Sequence, residues 1–120
     1  MTIRRMKTYT SQTGYVYQYY FVGKRTALPG ITEVPATEYV FDVSSDRESY
    51  YAISIFLLAD ALAYWAGAHG RELSEAEQYA AAKLRLLAAF DEVEGLRDSS
   101  RQFAVAAHDI ETLLEVLDLG

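Results

Sequence analysis

Asp42 is the residue most out of keeping with its neighbours. It interrupts the run Tyr39-Val40-Phe41-Asp42-Val43, in which every other side chain is aromatic or β-branched. A carboxylate buried in such a run needs hydrogen-bonding partners, because desolvating a charge without them is costly. Gln18, Tyr20 and Arg47 can supply them. Gln18 and Tyr20 fall on one face of an extended segment, and Arg47 closely follows Asp42 in the chain. A small pocket of Gln18, Tyr20, Asp42 and Arg47 is where ligand binding or acid–base chemistry would be sited. The same four residues also fit a structural hydrogen-bond cluster at a sheet edge, and the sequence favours that use.

Other chemistries find less support. His69-Gly70-Arg71-Glu72 and His108-Asp109-Ile110-Glu111 both have the His-x-x-Glu spacing that can align two metal ligands on a helix. The first spans a glycine at a helix end, and the second lies off the apolar stripe of its helix, so His108 is expected to face water. No cofactor or metal is expected. With no cysteine, no Gly-x-Ser-x-Gly and two histidines, nucleophilic catalysis lacks its usual parts. Gly23-Lys24-Arg25-Thr26 lacks the upstream glycine of a phosphate loop. The acidic group Asp91-Glu92-Glu94 falls at a helix C-terminus, where it opposes the macrodipole unless a base such as Arg97 or Arg101 offsets it.

Nucleic-acid binding has a partial case. Tyrosines on a sheet beside basic residues are how several single-strand binders stack bases. Arg4, Arg5, Lys7, Lys24 and Arg25 lie within the first 25 residues with no acid among them. The other 6 basic and 17 acidic residues reverse the balance to a net charge of −6, which disfavours a nucleic-acid partner. The basic segment is expected to pack near acidic helix surface.

The element that must position these groups is Gly14–Val22, the densest aromatic and β-branched stretch. As a strand it puts Tyr15, Tyr17, Tyr19 and Phe21 on one face and Val16, Gln18, Tyr20 and Val22 on the other. Strands are expected near 7–12, 14–23, 38–44 and 49–57. Segment 7–23 reads either as a hairpin or as one strand bent at Gly14, with the bent strand preferred because Thr13-Gly14 is a poor hairpin signal. Residues 26–37, with both prolines, read as a loop. From Leu58 the apolar period changes from 2 to 3.6. Helices are expected near 58–69, 75–94 (opened by the capping box Ser74–Glu77) and 100–117, the last with Phe103, Ala107, Ile110, Leu114 and Leu117 as its apolar face. Strands first and helices second make an α+β fold: an antiparallel meander of three to four strands packed against three C-terminal helices.

At 120 residues the chain fits one domain, mainly β over 1–57 and mainly α over 58–120. Met1–Lys7 has no apolar run after it, so a signal peptide is not expected, and Asp60 breaks the apolar run Tyr50–Ala68, which is not expected to span a membrane. Together with the lack of cysteine this points to the cytoplasm. The functional expectation is a small non-catalytic protein-interaction module or accessory subunit. If the helices cover one sheet face, the other needs a partner. Should that face carry Tyr15, Tyr17, Tyr19 and Phe21, a homodimer is the expected cover.

Overall fold

The longest strand among the described residues is Val16–Thr26 (β2), whose alternating aromatic side chains suit a pleated, half-buried surface. The computed structural model describes residues 5–27, 34–93, 95–96 and 101–117. β2 pairs antiparallel with Lys7–Thr10 (β1) on one side and Ala36–Ser44 (β3) on the other, and β3 pairs antiparallel with Tyr51–Leu58 (β4). Gln102–Val105 (β5) then lies parallel to β4, so the sheet order is β1-β2-β3-β4-β5. A parallel neighbour requires a crossover, and two helices supply it: Ala59–His69 (α1) and Glu75–Glu92 (α2). Ala107–Leu114 (α3) and a 3-10 turn at Glu115–Leu117 follow β5.

The α+β architecture is as expected, with three differences in detail. β1 and β2 form a hairpin rather than one bent strand. Gly14 adopts φ 94°, the Ser11 N–H donates to the Tyr15 carbonyl at 2.8 Å, and the Gly14 N–H donates to the Ser11 carbonyl. A left-handed glycine thus reverses the chain without an Asn-Gly pair. The sheet gains a fifth strand, and the last helix starts at Ala107. Phe103 and Val105 alternate with exposed Gln102 and Ala104, a period of 2 that belongs to a strand. β2 and β3 also run further than the expected loop 26–37 allowed, to Thr26 and from Ala36. Residues 28–33, Glu94 and residues 97–100 lie outside the described residues.

The helix boundaries follow their caps. Gly70, at φ 74°, ends α1 and donates its N–H to the Ala66 carbonyl. At the start of α2 the Ser74 Oγ accepts from the Glu77 N–H at 3.2 Å, and Glu77 accepts from the Ser74 N–H at 2.8 Å. Arg71 adds two bonds to the Glu77 carboxylate, and together these hold its pKa down at about 2.

One face of the sheet carries the core. Tyr17, Tyr19, Tyr39, Phe41, Ile53 and Ile55 point toward the helices and are buried there with Trp65, Leu86 and Phe90. α2 crosses this face. Its Tyr79 packs edge-on against Phe21 near its N-terminus, and its Phe90 stacks on Tyr17 near its C-terminus. Arg85 ties α2 to β5, donating from Nε to the Ala104 carbonyl at 3.2 Å with its guanidinium over the Phe103 ring.

The acidic end of α2 does structural work. Asp91 accepts from the Tyr9 hydroxyl at 2.7 Å and from the Gln12 backbone N–H at 2.9 Å, so one carboxylate pins the edge hairpin to the helix. That bond, with partial burial, raises the Tyr9 pKa. Asp91→Ala is expected to cost about 1.5 kcal/mol, the lower end for bonds to a charged group because the site is only part-buried. Hydrogen exchange should show faster opening confined to β1 and the 11–15 turn. An equal loss of protection in β3 and β4 would mean that the hairpin is not held locally.

Candidate functional site: the outer face of the sheet

Pairing register assembles the opposite face row by row. Ala36 stands beside Leu58; Arg25 beside Glu38 and Phe56; Gly23 beside Val40 and Ser54; Tyr20 beside Asp42 and Ala52; Gln18 beside Ser44. Among the described residues buried side chains of all three helices join the core cluster of the other face, and none joins the apolar cluster of this one. One end is closed by a small apolar cluster of Ala27, Ala36 and Phe56 with Leu58. The rest presents polar groups and tyrosine rings.

Two of the four residues expected around Asp42 bond to each other. The Tyr20 hydroxyl donates to Asp42 Oδ2 at 2.8 Å, across directly paired positions. Gln18 lies one row further along the same face, half-buried. Arg47 does not join them through its guanidinium. It sits exposed in the β3–β4 turn at φ 67°, with its backbone N–H donating to Ser44 Oγ. That turn is organised by Asp46, which accepts from the Glu48 and Ser49 N–H groups and from two serine hydroxyls, holding its pKa well below the ordinary value.

The most buried charged group of this face lies elsewhere. Glu38 is 4% exposed and accepts from Arg25 Nε at 2.7 Å and from Ser54 Oγ at 2.6 Å. The Arg25 bond outweighs burial and, with Ser54, lowers the Glu38 pKa. Sequence reasoning missed this group because the bulge at Val22 sets its register. Phe21 pairs with Phe41 but Gly23 with Val40, which brings Arg25 opposite Glu38. Glu38 and Asp42 are four residues apart on one strand, about 13 Å of rise, too far to act as a carboxylate pair. A carboxylate with a lowered pKa is also a poor proton acceptor near neutrality.

The sign of this shift sets a pH prediction. A carboxylate whose folded pKa lies below its unfolded value stabilises the fold above the ordinary carboxylate range, and that contribution fades as pH falls through the folded pKa. Glu38, Asp46 and Glu77 all act in this direction, so stability should drop as pH falls below about 4.5. Urea midpoints at pH 7 and pH 3 are expected to differ less in Glu38→Gln than in the parent chain. An equal difference in both would remove Glu38 from the account.

The expected interface residues lie on the other face. Tyr17 and Tyr19 are buried against Phe90, and Phe21 packs against Tyr79, so the chain's own α2 occupies that aromatic face. Tyr15, 49% exposed just before β2, is the exception. The anticipated patch of Tyr15, Tyr17, Tyr19 and Phe21 is therefore replaced by its opposite. There Val16, Val22 and Tyr50 are exposed, and the Tyr20 and Tyr50 rings meet at 5.9 Å. The burial has a simple cause: aromatic rings offer the larger apolar area, so the helix takes that side.

Neither His-x-x-Glu motif is assembled as a motif. His69 Nε2 lies 2.7 Å from Glu111 Oε1, which joins the first half of one to the second half of the other across α1 and α3, and the His108 side chain is exposed. Among the described residues no group of three or more potential ligands could hold a metal ion. Among them, too, no helix is long and apolar enough to cross a membrane. In comparison with known proteins, no family model, curated protein or solved structure matches this chain.

Proposed function

We propose that this chain is a small non-catalytic protein-interaction module, an accessory subunit whose partner sits on the outer sheet face, the one on which no described helix packs. The observation that carries this reading is the one-sided packing. α2 crosses the inner face, while the outer face leaves Val16, Val22 and Tyr50 exposed around the Tyr20–Asp42 bond. Tyrosine rings with a polar rim are the composition of interfaces, where each ring offers apolar area and a hydroxyl tolerant of water. The carboxylates of this face support the non-catalytic half of the proposal, being spread along a strand and committed to Arg25, Ser54 and Tyr20. A chain without cysteine suits a reducing cytoplasm as the place of assembly.

Site-directed photo-crosslinking in the native cell tests it. A photoreactive residue replacing Gln18 is expected to capture a protein, whereas one replacing Tyr64, exposed on α1, is not. Capture from Tyr64 alone would put the partner on the helices and overturn the reading. Light scattering then identifies the partner class. A mass near 13.5 kDa throughout a dilution series assigns the face to a different protein, and twice that mass assigns it to a second copy.

A further inference from the structure

Two features meet in the middle of β2. β1 pairs only with Val16–Tyr19, so from Phe21 to Thr26 the side of β2 away from β3 pairs with no strand among the described residues. On the outer face the same stretch bears a hollow of about 310 Å3, lined by Val22, Gly23, Lys24, Arg25 and Val40. Gly23 creates it. The residue stands directly opposite Val40, and a Cβ built there would meet nothing within 4 Å. A strand edge unpaired among the described residues, beside a hollow for a side chain, is the arrangement that accepts an extended peptide as an added strand. Backbone hydrogen bonds supply affinity, and pockets for alternate side chains supply selectivity.

The charges along the edge decide the occupant. Arg25 commits its Nε to Glu38, yet its side chain is 71% exposed. Lys24 faces Glu75 across 3.7 Å in a contact that water screens. Arg5 and Lys7 are exposed just before and at the start of β1. A second copy pairing through this edge would bring like charges together, which destabilises a strand pair. The bulge and the cations are also the devices that keep edges from self-pairing. An acidic strand instead meets the largely exposed Arg25 and the exposed Arg5 and Lys7, while Glu38 is buried behind Arg25 and Glu75 stands on α2 beside Lys24.

We propose that the β2 edge from Phe21 to Thr26 takes an acidic extended segment of a partner protein as an added strand, with an apolar side chain seated in the Gly23 hollow. This rests on the reading of the chain as an interaction module, but it assigns the edge rather than the face. The probe is a heptapeptide alternating glutamate with valine, titrated into the full chain at low salt beside a control alternating lysine with valine. The glutamate peptide is expected to bind and to slow amide exchange within residues 21–26 by about tenfold, weakening as salt is added, while the lysine peptide leaves exchange unchanged.

Gly23→Ile fills the hollow with a side chain that suits a strand and has room for its Cβ, so it should fold and bind about tenfold more weakly. Lys24→Glu should weaken binding similarly. The edge assignment is overturned by no binding, by protection elsewhere, by equal binding of the two peptides, or by unchanged binding to Gly23→Ile. It is also overturned if only a chain lacking residues 1–4 binds, since the edge would then belong to the chain's own N-terminus. If Gln18 still crosslinks while the peptide fails, the edge assignment falls and the interaction reading stands; failure of both removes both.

Discussion

Phe90→Ala is expected to lower folding stability by about 3–5 kcal/mol, the cost of emptying a well-packed aromatic site. Phe90 is fully buried. Its ring stacks on Tyr17 at 4.3 Å and 7°, and lies 5.8 Å from Tyr19 and 5.9 Å from Tyr9. Removing it therefore takes from β1 and β2 three ring contacts with α2, and the adjacent Asp91 bonds to Tyr9 and Gln12 lose their support. A domain of this size has about 5–15 kcal/mol in total, so the loss should show as a large fall in denaturation midpoint. Fluorescence of Trp65, the single tryptophan, reports on α1, while circular dichroism reports on the whole chain. The two transitions should shift together if the domain unfolds as one unit.

A double-mutant cycle sharpens this prediction. Tyr17→Ala and Phe90→Ala remove two halves of one stacked pair, so their joint cost should fall short of the sum of the single costs by about 0.5–3 kcal/mol. Strict additivity would show that each ring is held by other neighbours and that the stack contributes nothing of its own.

What could be read from the residues themselves depended on how local the determining interactions were. Period-2 patterning in Val16–Val22, Tyr39–Val43 and Tyr51–Leu57, and the Ser74–Glu77 capping box, are contained within a few residues, and these elements matched. β5 is different. Its four residues alternate too briefly to outweigh the helical stripe of Phe103, Ala107 and Ile110, and its partners run from Ser54 to Leu57, some 48 positions earlier. A long-range partner decides such a segment, and a window on sequence does not contain it.

The candidate site follows the same rule. Tyr20 and Asp42 could be associated because Asp42 breaks the pattern of its strand and Tyr20 offers it a hydroxyl from one face of the neighbouring strand. Their bond, however, depends on a register that bulge position controls. Glu38 broke no pattern, since a glutamate at the start of a strand reads as an exposed end. Only the extra residue at Val22 brings Arg25 to it. Asp91 looked like a misplaced charge against the dipole of α2 because its partners lie about 80 residues earlier. The choice of covered face also lay beyond pattern, since both faces of β2 are rich in large side chains. Total apolar area decided it in favour of Tyr17, Tyr19 and Phe21.

Trp65→Ala should have an effect as large as Phe90→Ala, about 3–5 kcal/mol, but distributed differently. Trp65 is 1% exposed and lies where α1, α3 and the sheet meet. The His69 imidazole stacks on its ring at 4.2 Å and 15°, and the Arg71 guanidinium lies over it at 4.9 Å. His69 in turn contacts Glu111 at 2.7 Å, so the indole orients the side chain that joins α1 to α3. Losing the ring removes buried area and also frees His69, which should loosen α3 more than the strands. Hydrogen exchange is therefore expected to accelerate most in 107–114, with circular dichroism following global unfolding because the variant has no tryptophan. Trp65→Phe keeps an aromatic surface for His69 and should retain much of the α3 protection while losing stability to the smaller volume. A Trp65→Ala variant that loses less than about 1 kcal/mol, or whose β1 amides exchange faster than those of α3, would show that the joint between α1 and α3 does not depend on this ring.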